Sequence, residues 1–244
     1  MTEWHLILEG RCPSRLNMAR DLALFQSVLD GNRQGFFRVY NWDEPALTTG
    51  FHQKGFRPAD TKLSIPVVRR PTGGGAVLHV DDMTFSIAAP ESPPFTGVIG
   101  TCRKVSEIFA SALKECGLDA KIQGDTAGFA DVCFQRTSPV ELCVRGAKIM
   151  GMALLRKNGH ILVQGVLPLT VDKGLSMQVF GGAGGPVCRG IRDYAPRFSQ
   201  EEFVGNLLRA FSSGTGISFL PRGYDDDQQH DRDNGKIDLR GQKP

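Results

Sequence analysis

The chain has no apolar run approaching the ~18 residues of a membrane-spanning helix. Its first residues, MTEWHLILEG, lack the basic start and cleavage site of an export signal. No two of the six cysteines stand in a C-x-x-C spacing, so no metal site is expected. An even number of cysteines allows three disulfides, but without an export signal the expectation is reduced thiols in a cytoplasmic protein. Neither sign of charge dominates. The formal net charge is +3, too small to point to a nucleic acid partner, and no membrane partner is expected. No internal repeat is present. The G-x-x-x-x-G-K-[ST] spacing of a Walker loop is also missing.

What remains is the composition of a soluble globular protein, 41% hydrophobic and 23% charged over 244 residues. That length suits one large domain or two small ones and suffices for a real core. The residues after Pro221, RGYDDDQQHDRDNGKIDLRGQKP, are almost entirely polar. They can bury little, so the expected organisation is a folded domain over 1–221 and a disordered tail over 222–244.

The most informative stretch is VRRPTGGGAVLHVDDMTFS, residues 68–86. Residues 65–68 form an apolar run that reads as a buried strand, and strand character resumes at 76–80 and 84–88. Between them lie Arg69, Arg70, Pro71, Thr72 and the consecutive glycines Gly73, Gly74 and Gly75. Adjacent glycines lose much backbone entropy on folding. Such a loop suits a backbone that needs positive φ or that a ligand approaches closely. Its N–H groups can face an anion or carbonyl, and arginine adds a planar fork for carboxylate or phosphate. A plain glycine hairpin with solvated arginines is the alternative.

Elsewhere, strands are expected at 4–9, 36–40, near 46–50, 120–123, 140–145, 148–156 and 160–169. Asn158-Gly159 is the strongest hairpin signal. Three helices are expected: one capped by Asn17 and ended by Gly31, one over about 101–115, and one opened by the Ser199–Glu202 capping box. In the second helix Cys102 and Cys116 fall on the apolar stripe as packing residues. Strands with few strand–helix–strand units in series indicate an α+β fold, a mixed and largely antiparallel sheet with flanking helices. Chemistry could come from the glycine loop with His79, from Cys133 in a Gly/Asp/Thr-rich loop, and from Lys148 after a tight turn. A neighbouring cation favours a reactive thiolate and can stabilise an oxyanion or phosphate.

RRPTGGGAVLH with a following T-x-S, and GAKIMGMALLRKNGHILVQG later, together resemble the catalytic domain of the biotin/lipoate protein ligases, a class II aminoacyl-tRNA synthetase-like fold. The nearer likeness is to the lipoate branch, the octanoyltransferases and lipoate–protein ligases. LNMARDLAL and RVYNWDEPALTTGFHQKG stand in that family's order. The resemblance implies that Arg69, Arg70, Thr72, Gly73, Gly74, Gly75, Ala76, His79 and Gly151 hold the acyl group, with Lys148 catalytic. The segment DVCFQRTSPVELCVRGAKIMG resembles the cysteine-dependent octanoyltransferases, which implies Cys133 as nucleophile. Cys188, in GGPVCRG, resembles the cysteine position of another octanoyltransferase branch and is the second choice; Cys143, inside a strand, is weaker.

The implied reaction moves an octanoyl or lipoyl group from acyl carrier protein, through a cysteine thioester, to a lysine of a lipoyl domain. Glycine cleavage H protein and dehydrogenase E2 subunits are the implied acceptors, and no permanent cofactor is needed. The alternatives are an ATP-dependent ligase that uses Mg and free lipoate, and a non-catalytic lipoyl-binding or accessory protein. Gly151-Met152-Ala153-Leu154 replaces the family's Gly-Ser-Ala-Gln, and Gln164-Gly165 replaces His-Gly. These departures imply either a less polar site or a decayed activity. One expectation concerns the tail alone: truncation after Pro221 should leave melting temperature and activity unchanged, and loss of several degrees or of most turnover would make the tail structural.

Overall fold

A computed structural model describes residues 2–31, 35–123, 140–181 and 189–223. Cys133, Cys188 and residues 224–244 of the tail lie outside the described residues. The elements in chain order are β1 (Thr2–Cys12), α1 (Ser14–Leu29), β2 (Phe36–Trp42), β3 (Ala46–Thr49), β4 (Val67–Arg69), β5 (Val77–His79), β6 (Asp81–Pro90), α2 (Val98–Glu115), β7 (Lys121–Gln123), β8 (Glu141–Val144), β9 (Ala147–Lys157), β10 (His160–Thr170), α3 (Lys173–Phe180), α4 (Gln200–Thr215) and β11 (Ile217–Pro221). No helix among the described residues is long and apolar enough to cross a membrane.

The large sheet runs β11-β1-β2-β6-β10-β9-β8-β7, and a small sheet runs β4-β3-β5. β1 is parallel to β11 and β2, and the pairs from β2 to β7 are antiparallel. This is the α+β architecture expected. Alternation along β10 sorts the two faces. Ile161, Val163 and Leu167 join the main core with Phe109 of α2 and Phe203 and Phe211 of α4. Leu162 packs beside Leu24, Phe25 and Val28 of α1 on the other face. Asn158 and Gly159 have φ of 50° and 72°, the pair of positive angles a two-residue hairpin needs. Ser199 caps α4 by accepting from the N–H of Glu202 at 3.2 Å.

Several expectations need correction. Asn17 is not a cap: α1 begins at Ser14, and Asn17 is buried within it, its Nδ2 donating to the carbonyls of Cys12 (3.2 Å) and Asn41 (3.1 Å). Of the apolar run at 65–68 only Val67 and Val68 fall in a strand, the three-residue β4, of which Val68 alone is buried. A tight turn at Arg145-Gly146, one residue earlier than expected, precedes β9. A fourth helix, α3, and an extra strand, β11, are also present. Asp172 caps α3 by accepting from Leu175 N at 2.9 Å, and β11 pairs with β1 from Thr2 to Leu6.

Under α1 lies a polar hub. Arg38 and Asp21 are both fully buried. Arg38 Nη1 donates to Asp21 Oδ1 at 2.7 Å, Nη2 to Asn17 Oδ1 at 2.7 Å and Nε to Glu9 Oε2 at 2.5 Å. Asp21 also accepts from Tyr40 OH (2.8 Å), Ser86 Oγ (2.7 Å) and Gln164 Nε2 (2.6 Å). Burial works against the guanidinium charge, but Asp21, Tyr40 and Glu9 outweigh it and raise the Arg38 pKa. Burial, then Asp21, push the Tyr40 phenol well above its ordinary range, so it stays a neutral donor. Removing one member strands the others without water. Asp21→Ala should therefore lower unfolding stability by about 3–5 kcal/mol in urea titrations, and a loss below about 1 kcal/mol would contradict this account of the hub.

Candidate active site

The glycine loop connects β4 to β5 across β3, and Arg70 folds back into it. Arg70 Nη2 donates to the carbonyls of Gly73 (2.6 Å) and Gly75 (2.7 Å), Nε to Gly73 O (3.1 Å) and Nη1 to Thr48 O (3.4 Å). The guanidinium thus holds the loop's shape from inside, its fork bound to the loop's own carbonyls rather than left solvated. Neighbouring Arg69 points the other way. It is exposed, with its guanidinium 5.3 Å from the Phe51 ring centre. Gly74 has φ of +88°, and a Cβ there would sit 2.9 Å from Arg70 Nη2. Across the loop, a Cβ on Gly50 would overlap the carbonyl of Gly74.

The loop is fastened to the hub. Thr72 Oγ1 donates to Gln164 Oε1 at 2.8 Å, and Gln164 passes a second bond to Asp21. Gln164 therefore keeps a polar group at the position where the family usually has histidine. Next to it opens a narrow cavity of about 30 Å3, well below the usual range of ligand pockets. Met18, Tyr40, Trp42, Val77 and Val166 supply apolar walls; Thr48, Arg70, His79, Thr84 and Gln164 supply polar ones; Gly151, Met152, Ala153 and Gly165 complete the lining.

His79 is buried and held on both nitrogens, Nδ1 3.0 Å from Asp82 Oδ2 and Nε2 3.0 Å from Thr48 Oγ1. Its ring stacks on Trp42 at 4.0 Å. Trp42 Nε1 donates to Thr84 Oγ1 (2.8 Å), which donates to Asp82 Oδ1 (2.7 Å). These bonds fix the histidine between β3 and β6.

Lys148 does not line this cavity. It lies on β9 three residues before Gly151, its Nζ 2.8 Å from Glu141 Oε2, with both side chains largely buried. The structure therefore brings together Arg70, Thr72, the glycine loop, His79 and Gly151, sets Lys148 further along the same strand, and turns Arg69 outward. Cys143 faces Lys148 in register. Burial, then Glu141, raise the Cys143 pKa against the lowering effect of Lys148. Burial and Glu141 push Cys102 up to about 11. Burial also raises Cys116. These three thiols resist ionisation and suit packing rather than attack.

The departures at Met152 and Leu154 were expected to make the site less polar. Alternation on β9 instead turns both against the main core, although Met152 also borders the cavity. Gly151 and Ala153 oppose Val166 and Gln164 on the cavity side. Sequence reasoning missed Asp21, Arg38, Asp82, Thr84 and Trp42. The partners of Asp21, Arg38 and Trp42 lie far along the chain, so no local spacing marks them; Asp82 meets His79 and Thr84 within three positions, a spacing that was open to reading.

Residues 13–211 of this chain match the family model described as the lipoyl protein ligase A/B catalytic domain. The chain belongs to that family. An octanoyltransferase LipM of Carboxydothermus hydrogenoformans is 32% identical over 90% of this chain and 89% of its own. One from an Exiguobacterium species is 36% identical over 70% of this chain and 67% of its own. Among solved structures, a lipoate-protein ligase A bound with ATP superposes with a TM-score of 0.75 at 23% identity, covering 95% of each chain. The bipartite lipoate protein ligase of Thermoplasma acidophilum gives 0.73 at 21%, covering 96% of this chain and 93% of its own. At these identities the superpositions speak to fold.

The two glycine environments make a paired prediction. Gly50→Ala should destabilise by about 1–3 kcal/mol, because the backbone of the loop must move. Gly73→Ala, with nothing within 4 Å of an added Cβ, should stay within about 0.5 kcal/mol. Equal thermal shifts for the two would contradict the loop packing described.

Proposed function

We propose that the chain is an acyltransferase of protein lipoylation. It moves an octanoyl group from acyl carrier protein to the lysine of a lipoyl domain, such as glycine cleavage H protein or a dehydrogenase E2 subunit, in the cytoplasm and without a bound cofactor. The observation that carries this reading is the likeness, over nine-tenths of the chain, to a relative named for octanoyl transfer. The apolar walls of the cavity suit an alkyl chain, and the polar end at Thr48, Arg70 and His79 suits its carbonyl.

In this reading Cys133 is the nucleophile. Its thiolate attacks the thioester carbonyl of the donor, the carbon–sulfur bond to the carrier breaks with the carrier leaving as its thiolate, and the acyl group stays on the Cys133 sulfur. The neutral amine of the acceptor lysine then attacks, the Cys133 thiolate leaves, and the amine gives up a proton as the amide forms. Each step acts on an already activated carbonyl, so nothing needs adenylation. Supporting the choice of Cys133 are its VCF segment and the raised pKa values of Cys102, Cys116 and Cys143. Lys148, already paired with Glu141, stabilises negative charge developing on the carbonyl oxygen. The glycine loop, with Thr72, Ala76 and Gly151, holds the chain.

The test is transfer from octanoyl-carrier protein to a lipoyl domain without ATP. Wild type and Cys143→Ala should form product, Cys133→Ala none, and Lys148→Ala at least about 100-fold less. A protein that modifies the domain only with ATP and free lipoate, and still does so as Cys133→Ala, would contradict the proposal in favour of a ligase. A dead Cys188→Ala beside an active Cys133→Ala would reassign the nucleophile.

A further inference from the structure

We propose that the outer face of residues 51–69 is the docking surface for the acidic carrier protein that delivers the acyl group; this rests on the transfer reading above. The segment between β3 and β4, residues 50–66, contains no helix or strand. A structureless connection longer than ~12–15 residues in a compact domain is uncommon and usually functional. This one is anchored on its inner side. The N–H groups of Ala59 and Asp60 donate to Val179 and Gln178 of α3 at 2.9 and 2.8 Å. Phe56, Leu63 and Ile65 pack with Val179 and Leu47.

The outer side is different. Lys54, Arg57, Lys62 and Arg69 are all exposed, and Asp60 is the one acidic residue in 51–69. The segment therefore carries an excess of three positive charges. Lys54, Arg57 and Lys62 form no ion pair among the described residues. Phe51, 48% exposed, lies beneath the Arg69 guanidinium, an aromatic of the kind that anchors interfaces.

The patch also adjoins the reaction site. Phe51 N donates to Thr72 O at 2.8 Å, and Arg69 precedes the arginine that clips the glycine loop. Charge favours the donor over the acceptor. A carrier protein presents its acyl group on an arm that contains an anionic phosphodiester, which the exposed cations of this segment attract. A lipoyl domain presents a lysine, which they repel.

Such a surface acts mainly through encounter and is screened by salt. The test compares wild type, a Lys54→Glu/Arg57→Glu/Lys62→Glu triple variant, and the matching triple Gln variant. All three are checked for equal melting temperature. The readouts are Kd for octanoyl-carrier protein and kcat/KM with that donor, with octanoyl-pantetheine and with varied lipoyl domain. The Glu triple should weaken carrier binding and lower kcat/KM for the carrier donor by about tenfold or more, the Gln triple by less. Octanoyl-pantetheine turnover should stay within about twofold, and about 0.5 M salt should bring wild type down to the variants.

Unchanged carrier affinity would overturn the proposal. So would an equal loss with the small donor, or a loss that appears only in the KM for the lipoyl domain. A wild type that binds the carrier through these residues but transfers no octanoyl group would support the docking surface and overturn the transfer reading.

Discussion

The buried ion pair between Arg38 and Asp21 is the constraint on which the site depends. Two charges removed from water are stable only when nearly every donor and acceptor is matched. Matching them here ties together β1 through Glu9, α1 through Asn17 and Asp21, β2 through Arg38 and Tyr40, β6 through Ser86 and β10 through Gln164. The last of these bonds continues to Thr72. The glycine loop is thereby referenced to the centre of the sheet, although it belongs to a separate three-stranded sheet.

Two arginines next to each other in sequence then have opposite tasks. Strand alternation sends Arg70 inward to bind loop carbonyls and Arg69 outward to Phe51. The loop needs Gly74 for its positive φ and Gly50 for its contact with the Gly74 carbonyl. The inner guanidinium fixes a backbone shape that glycines alone would leave loose. A cavity walled by aromatic and aliphatic side chains opens beside it, with His79 immobilised on both nitrogens.

Much of this was legible in the sequence where the controlling interactions are local. The Asn158-Gly159 hairpin, the Ser199 cap and the apolar stripe of α2 depend on residues within a few positions of one another, and all three stand in the structure. The misses have physical causes. α3 buries only Ser176 and Val179, so it has almost no apolar period, although Asp172 and Gly181 mark its ends. β11 is held by parallel pairing to the opposite end of the chain. Asn17 has the chemistry of a cap, but tertiary partners at Cys12, Asn41 and Arg38 claim its side chain. Nothing within the 36–40 strand marks Arg38 as buried, because its carboxylate partners lie in β1 and α1. The glycine loop was recognised, but the inward turn of Arg70 requires knowing that Gly73 and Gly75 carbonyls converge on it. The pairing of β9 with β10 sets which face Met152 and Leu154 occupy: both pack against the main core, and Met152 also borders the cavity.

The central claim is that the acyl group is carried on Cys133 itself. Intact mass of the purified protein after incubation with octanoyl-carrier protein, without ATP and without acceptor, tests it most directly. The account predicts a gain of one octanoyl group, located to Cys133 by peptide mapping and discharged when a lipoyl domain is added. A protein whose mass stays unchanged with this donor, yet which forms product from free lipoate and ATP, would contradict it.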